Sequence, residues 1–258
     1  MERRIQANKE IEWRIGMQYC SGKSRISKKI SNVIIERERE SKTLVSLFCG
    51  TCSVESKLAD FFNVLICNDK QEYLISMLNG VQKGYELPEN ITENQYKYIR
   101  EHKDEDKVLT GFVGFGCSFA GKFFGGYARN KTNTNYASQS KRSLLKDICN
   151  LSTTKFICMD YQEVELPEDC VVYADPPYKR TTTGYGLKES FDSEKFWDYA
   201  REVSKTHNMY ISEQNAPEDF VAIWEKPFTR MMDSNKDNIF KVTEKLFVHK
   251  DVLKRLKN

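Results

Sequence analysis

The sequence predicts an α/β fold built on a doubly wound sheet, formed by one domain that an insertion interrupts. Three observations support this prediction. A strand–turn–helix–strand unit spans residues 43–69, the alternation breaks off over residues 71–150, and it resumes from Lys155. Strands that alternate with helices favour a largely parallel sheet with helices on its faces. The 258 residues, 40% of them apolar, suffice for one such core.

The first unit is defined by a change of periodicity along the chain. Residues 26–39 carry apolar side chains at helical spacing and predict a helix. The β-rich apolar run 43–48 predicts a strand that ends in a turn of small residues, 49–53. A helix over 54–62 and a second strand over 63–67 complete the unit.

The remaining elements are predicted in the same way. Residues 71–108 are predicted to be mostly helical, and six glycines interleaved with aromatic residues over 111–126 predict a loop. Later strands are predicted at 156–159, 169–174 and 208–211, helices at 193–204 and 220–225, and a closing antiparallel hairpin at 228–232 and 245–249. Ser193 is the predicted N-cap of its helix.

Charge is unevenly distributed although the net charge is only +3. Residues 1–45 hold 11 Lys and Arg against 6 Asp and Glu, and residues 121–146 hold six basic residues and no acid. Between them, residues 85–106 hold seven acids and three basic residues. Such asymmetry favours a polyanionic partner, but by itself it fits a solvated face equally well.

Several protein classes are excluded by the sequence. No apolar run approaches the roughly 20 residues that cross a bilayer, and the N-terminus lacks an apolar signal core, so we expect a soluble, cytoplasmic protein without membrane contact.

The eight cysteines are scattered, and Cys49 and Cys52 lack partners at zinc spacing, which predicts reduced core thiols and no metal. Two near-matches to a phosphate-binding loop each lack a required residue.

The strongest signal is Asp175-Pro176-Pro177-Tyr178, directly after the predicted strand. Two prolines stop a strand and remove two backbone donors, which makes a stiff turn. Such a turn lies at a strand's carboxyl end, where open α/β sheets bind ligands. It presents a carboxylate, a carbonyl and an aromatic ring together. These groups suit an aromatic base with an amino group, so all four residues are candidate catalytic residues.

With this motif the chain resembles a known family, the Dam-type (D12 class) DNA N6-adenine methyltransferases, and within it the bacteriophage-type adenine methylases. Further segments carry the resemblance in the family's order: Met17–Ile26 is similar to its N-terminal motif, Phe48–Glu55 to its F-x-G-x-G cofactor motif, and Ile211–Pro217 to a segment after its catalytic strand. Cys52 stands where the second glycine of F-x-G-x-G is expected. Cysteine is small, but it takes a positive φ less cheaply than glycine.

The resemblance implies a Rossmann-like, S-adenosylmethionine-dependent methyltransferase fold with a mixed, mostly parallel sheet. It implies methyl transfer to N6 of a flipped-out adenine in DNA, and it allows a cognate restriction enzyme as a partner. The catalytic domain would comprise 17–70 and 151–258, a mainly helical target-recognition region 71–150, and an N-terminal extension 1–16. An RNA adenine methyltransferase, a cytosine N4 methyltransferase and a non-catalytic nucleic-acid binder remain alternatives.

The candidate cofactor-binding residues are Tyr19, Gly22, Lys23, Phe48, Gly50, Asp69, Asp160 and Asp175. Phe48 and Gly50 end the first strand, where a small residue lets a ligand approach the backbone, although a packing turn explains them equally well. Asp69 can bind ribose hydroxyls or cap a helix. Asp160 can accept from the cofactor's adenine amine. Tyr19, Gly22 and Lys23 are assigned by the resemblance alone, near the methionine end of the cofactor and the target base.

The candidate nucleic-acid contacts are Lys122, Tyr127, Arg129, Tyr136, Lys141 and Arg142. They lie in the inserted region, where basic and aromatic residues follow a glycine-rich loop. Lysine and arginine side chains contact phosphates, and aromatic rings stack on bases. An ordinary mobile loop is the alternative interpretation.

Overall fold

The computed structural model of the chain describes residues 23–38, 43–177, 191–231 and 239–257. Within these ranges the helices are α1 Ser27–Ile35, α2 Glu55–Leu58, α3 Glu72–Gln82, α4 Glu93–Glu101, α5 Lys107–Gly116, α6 Tyr136–Cys149, α7 Ser193–Thr206 and α8 Lys250–Arg255. The strands are β1 Thr43–Ser46, β2 Val64–Asn68, β3 Lys155–Ile157, β4 Cys170–Ala174, β5 Asn208–Glu213, β6 Phe220–Met231 and β7 Ile239–His249. No helix of the described chain is long and apolar enough to cross a membrane.

The seven strands form one sheet in the order β3-β2-β1-β4-β5-β7-β6. The first five strands in this order are parallel to one another. Strand β1 lies between β2 and β4, so the strand order reverses direction at β1. Strand β7 runs antiparallel to both β5 and β6. The predicted α/β class with a mixed, mostly parallel sheet is therefore confirmed, and so is the closing hairpin, which is longer than predicted.

Side chains alternate between the two faces of the sheet, as strand geometry requires. Tyr173 and Tyr210 pack on the face that also buries α1, α3 and α5. Val172 and Met209 face the other way, toward α7. Both faces are thus covered, which explains why the parallel strands are continuous apolar runs. Of the seven cysteines in the described residues, five are buried, whereas Cys149 and Cys158 are exposed.

The predicted loop over 111–126 is wrong in its first half, because Gly111, Gly114 and Gly116 lie in α5. A Cβ on Gly111 would lie 2.1 Å from the carbonyl oxygen of Tyr73 on α3. A Cβ on Gly114 would lie 2.4 Å from the ring of Phe123. These glycines therefore allow close packing inside a helix and do not interrupt it.

Two further predictions about local structure are wrong. The run 220–225 was predicted to be helical but forms the start of β6, since a run of five apolar residues and one glutamate has no decisive periodicity and pairing with β7 decides its conformation. Asp192, and not Ser193, caps α7, because its carboxylate accepts from the N–H groups of Glu194 and Lys195.

Candidate active site

The candidate site lies where four neighbouring parallel strands end. Asp160 follows β3, Asp69 follows β2, the Gly50 turn follows β1 and Asp175 follows β4. Since these strands are adjacent in the order β3-β2-β1-β4, their carboxyl ends meet at one edge of the sheet. This is the edge at which open α/β sheets bind ligands.

The Gly50 turn is held by the end of the next strand. Asp69 accepts the Gly50 N–H at 3.1 Å with one carboxylate oxygen and the Gln71 N–H at 3.0 Å with the other. Burial raises the pKa of Asp69 to about 6, against the opposing effect of the N–H donors. Each oxygen has a second lone pair, so this clamp leaves acceptor capacity for a ligand.

The cysteine in the second glycine position is accommodated in the turn. Cys52 has φ 57°, in the left-handed region, and Gly50 has φ 51°. For a residue with a Cβ this conformation costs roughly 1–2 kcal/mol. The Cys52 side chain is fully buried in the core, so packing offsets part of that cost. The turn therefore accommodates a cysteine at the position where the family pattern has its second glycine.

An open cleft of about 550 Å³ adjoins the end of β3. It is lined by Lys70, Cys158, Met159, Asp160, Gln162, Glu163 and Lys195. One Asp160 oxygen accepts the Gln162 N–H at 3.1 Å, and the other lies 3.2 Å from the Lys70 ammonium. Asp160 is thus the N-cap of a short 3₁₀ turn, Tyr161–Glu163. Phe48 packs in an aromatic cluster beside the cleft, 5.2 Å from the Tyr161 ring.

The Asp175-Pro176 step leaves β4 next to the Gly50 turn. The Asp175 side chain is 19% exposed, and its Oδ1 lies 2.6 Å from the Lys23 Nζ. The Lys23 Nζ also lies 3.7 Å from an oxygen of Glu244 on β7. Burial acts to lower the pKa of Lys23, but the negative charges of Asp175 and Glu244 outweigh it and raise the pKa. The lysine is therefore a buried cation held by two carboxylates.

Two further buried carboxyl groups stand near Asp175, and sequence reasoning missed both. Burial raises the pKa of Glu213, at the end of β5, to about 7. Burial also raises the pKa of Glu55, on α2, to about 8, and Ser46 donates to it at 2.5 Å. Both lie in segments that carry the family resemblance, Phe48–Glu55 and Ile211–Pro217, but only the folded structure reveals that they are buried near Asp175.

The comparisons with known proteins agree with this geometry. The family model for D12 class N6 adenine-specific DNA methyltransferases matches residues 19–112 and 116–245. The chain belongs to that family. It transfers a methyl group from S-adenosylmethionine to N6 of adenine in DNA. No curated protein sequence matches the chain.

Solved structures to which the chain is similar include several methyltransferases. An rRNA methyltransferase, aviRa from Streptomyces viridochromogenes, is 12% identical with a TM-score of 0.42, covering 94% of this chain and 91% of its own. A putative RNA methyltransferase, PH1948 from Pyrococcus horikoshii, is 9% identical with a TM-score of 0.43, covering 90% and 88%. The putative methyltransferase yhhF from Escherichia coli is 9% identical with a TM-score of 0.40, covering 92% of each chain. Similarities this distant do not indicate a shared substrate.

The residues of this D12 methyltransferase fit S-adenosylmethionine. Carboxylates at the ends of β2 and β3 suit ribose hydroxyls and an adenine amino group, which are hydrogen-bond donors. The adjoining cleft of about 550 Å³ lies within the range of small-molecule sites. Three site residues predicted from the sequence, Tyr19, Gly22 and Tyr178, lie outside the described residues.

The predicted DNA contacts of the methyltransferase fall into two groups. Arg129 forms an ion pair with Glu93 at 2.7 Å, and Lys141 pairs with Glu89 at 2.6 Å. The Tyr127 hydroxyl donates to the Ile91 carbonyl at 2.6 Å, which gives that ring a structural role.

The remaining members are more accessible. Lys122 and Arg142 are exposed, and Tyr136 is half-buried at the start of α6. Sequence reasoning missed Phe119, whose side chain is 64% exposed on a short turn in which Ala120 has φ 55°. An exposed ring on a shaped turn is a signal that only the structure reveals.

Proposed function

We propose that the edge formed by the ends of β1 and β4 is the methyl-transfer site of this DNA adenine methyltransferase, with Asp175, Pro176, Pro177 and Tyr178 as its catalytic residues. The observation that carries the proposal is the stiff Asp-Pro-Pro turn beside the Gly50 turn, on adjacent strands. It brings a partly exposed carboxylate next to the turn that resembles the family's cofactor motif.

The chemistry follows from the groups at this turn. The amino nitrogen of adenine is a poor nucleophile, because its lone pair is delocalised into the ring. The Asp175 carboxylate and the Pro176 carbonyl each accept a hydrogen bond from one N–H of the amine. These bonds draw the nitrogen toward tetrahedral geometry and stabilise the positive charge that develops on it. When bound, S-adenosylmethionine would supply the methyl group from its sulfonium and leave as the neutral thioether, and the methylated amine would then lose one proton. Tyr178 stacks on the base, which leaves the duplex at a cost of a few kcal/mol.

The cofactor-binding residues keep the assignments made from the sequence. Gly50 lets the ligand approach the backbone, Asp69 accepts from ribose hydroxyls, and Asp160 accepts from the adenine amine after it exchanges its Lys70 contact. Phe48 lines the neighbouring aromatic wall. Tyr19, Gly22 and Lys23 serve the methionine end.

Residues 71–150 form the target-recognition region, and 17–70 with 151–258 form the catalytic domain, preceded by the extension 1–16. The four helices α3 to α6 follow one another between β2 and β3, which supports the bounds of the insertion, although α3 and α5 also pack on the sheet. Lys122 and Arg142 contact phosphates, joined by Arg129 and Lys141 once DNA competes for them. Exposed Phe119 and half-buried Tyr136 offer rings to bases.

The cellular setting is also part of the proposal. The resemblance to bacteriophage-type methylases supports a cytoplasmic enzyme that protects its sites against a cognate restriction enzyme. Sequencing of DNA methylated by the enzyme, with detection of modified adenines, identifies the site. Resistance of that DNA to restriction enzymes cutting the same site then tests the pairing.

The assignment of the site is tested with Asp175→Ala and the isosteric Asp175→Asn. We expect each to lower single-turnover methylation of duplex DNA by at least about 10²–10³-fold, as loss of a preorganised charge stabiliser does. The dissociation constant of S-adenosylmethionine, measured by calorimetry, should change little. Wild-type turnover in either variant would overturn the assignment.

The substrate is tested separately with labelled methyl groups offered to duplex DNA and structured RNA. Nuclease digestion and mass analysis of the product nucleoside should yield N6-methyladenine from DNA. An RNA-only signal, or N4-methylcytosine, would contradict the proposed substrate.

A further inference from the structure

A buried cluster of one ammonium and two carboxylates stands at the methyl-transfer edge. Lys23, Asp175 and Glu244 come from three distant parts of the chain, and the side chains of Lys23 and Glu244 are each 4% exposed. Only the carboxylate of Asp175 reaches solvent, at 19% exposure. The sequence motifs include Lys23 and Asp175, but Glu244 belongs to none of them.

We propose that Glu244 is a positioning residue for methyl transfer: by sharing the Lys23 ammonium with Asp175, it keeps the site negatively charged where the methylated amine becomes positive. The inference rests on the proposed role of Asp175 as acceptor of the target amine. Glu244 is too buried to meet the substrate itself, and it acts through Lys23.

The argument is one of charge balance. A lysine 2.6 Å from Asp175 orients that carboxylate, but it also cancels the charge that Asp175 would offer to a developing cation. With Glu244 at 3.7 Å the cluster of three has a net charge of −1. The second carboxylate therefore lets the lysine hold Asp175 in place without neutralising the site.

The neighbouring acids do not supply this charge equally well. Burial raises the pKa of Glu213 to about 7, so only about half of this carboxyl is ionised at neutral pH. Burial raises the pKa of Glu55 to about 8, so that it is mostly neutral there. Tyr173, another titratable group near Lys23, has a pKa raised well above its ordinary value by burial.

The strand order explains how Glu244 reaches the site. Strand β7 is inserted antiparallel between β5 and β6, and its residue Lys245 pairs with Glu213 at the end of β5. Glu244 therefore arrives at the carboxyl edge of the sheet. Its even-numbered neighbours Leu246 and Val248 pack in the same core cluster as Tyr173, which places Glu244 on the face of Lys23.

The test compares Glu244→Gln, which removes the charge, with Glu244→Asp, which keeps it. Glu38→Gln is the matched control: Glu38 is also buried, but it accepts from Tyr210 and from Asn208 at the opposite end of β5. Three quantities are measured for each variant: the single-turnover rate at saturating S-adenosylmethionine, the donor's dissociation constant by calorimetry, and the unfolding midpoint.

We expect Glu244→Gln to lower the rate about 10- to 100-fold, the effect typical of a residue that acts through another, with donor affinity within about threefold of wild type. Glu244→Asp should stay within about fivefold of the wild-type rate, since its charge remains. Glu38→Gln should keep the wild-type rate. A wild-type rate in Glu244→Gln, or equal rates in the Gln and Asp variants, would overturn the inference.

The outcomes separate this inference from the proposed function. If Asp175→Asn keeps full activity, the proposed site itself is wrong. If Asp175→Asn is inactive while Glu244→Gln is fully active, only the role of Glu244 is wrong. Should Glu244→Gln not fold, a loss beyond about 100-fold in folded Glu244→Asp would show that shape and not charge matters there.

Discussion

Two lysines of this methyltransferase make ion pairs of the same length in very different surroundings. The Lys23 Nζ lies 2.6 Å from Asp175, and the Lys141 Nζ lies 2.6 Å from Glu89. The first pair is 4% and 19% exposed, and the second is 22% and 68% exposed. The distances are equal, so the pairs differ in burial. Breaking the buried pair is strongly destabilising, whereas the exposed pair exchanges with water or other partners at little cost.

The difference corresponds to the two regions of the molecule. In the catalytic region the buried Lys23 cation lies between two carboxylates, because a buried cation without an anionic partner is costly. In the inserted region the acidic segment 85–106 lies against the basic segment 121–146 through Glu89 and Glu93. Those pairs cost little to break, as the proposed DNA-contacting surface requires.

The largest difference in stability is expected between variants that remove one or the other of these two lysines. Lys23→Met leaves two carboxylates facing each other in the core and should lower the free energy of unfolding by about 3–5 kcal/mol. Lys141→Met should leave it nearly unchanged. Urea unfolding at neutral pH measures both. Equal losses in the two variants would break the comparison, because burial would then not separate the pairs.

A buried acid that has no cation partner among the described residues sharpens the same comparison. Burial raises the pKa of Glu55 to about 8 from an ordinary value of 4.5. The folded protein therefore holds this proton more tightly than the unfolded chain does. Stability should fall as pH rises from about 4.5 and should be fully reduced above about 8, by roughly 3–5 kcal/mol from this group.

Glu55→Gln keeps the shape and removes the titration, so it should flatten the pH dependence between 5 and 8 and stabilise the protein at pH 8. Unfolding curves at several pH values test this. The exposed Glu168→Gln is the control and should follow the wild-type curve. If Glu55→Gln keeps the wild-type slope, another buried acid, such as Asp69, dominates it.

The elements that the sequence predicted well are those whose signal is local. The strands that end at Asp69 and Asp175 are apolar runs, which buried parallel strands produce, and the proline turn is defined by covalent geometry. The placement of residues at those strand ends was therefore predictable, including the positions of Gly50 and Asp160 at the same edge of the sheet.

What failed depends on contacts between distant segments. Residues 220–225 form a strand because β7 pairs with them, and Gly111 lies in a helix because α3 packs against it. The role of Glu244 depends on the place of β7 in the strand order. No local pattern encodes any of these contacts.

The smallest effect is expected on the exposed side of the comparison. Glu89→Gln and Glu93→Gln release Lys141 and Arg129 from their ion pairs, so DNA phosphates no longer compete with carboxylates for them. Affinity for duplex DNA of unrelated sequence should rise about threefold for each variant at low salt, and the gain should fade as salt screens the charges. Fluorescence anisotropy with labelled duplexes measures it.

The matched control for these variants is Glu202→Gln, which releases Lys205 from an exposed 2.7 Å pair on α7, outside the insertion. It makes the same change in net charge, so it separates a local effect from a general one. If the gain belongs to the DNA-binding surface, Glu202→Gln should bind duplexes as the wild type does. Equal gains in all three variants would mean that net charge alone sets the affinity for DNA. The acidic segment would then not compete specifically with DNA for the basic residues of the insertion.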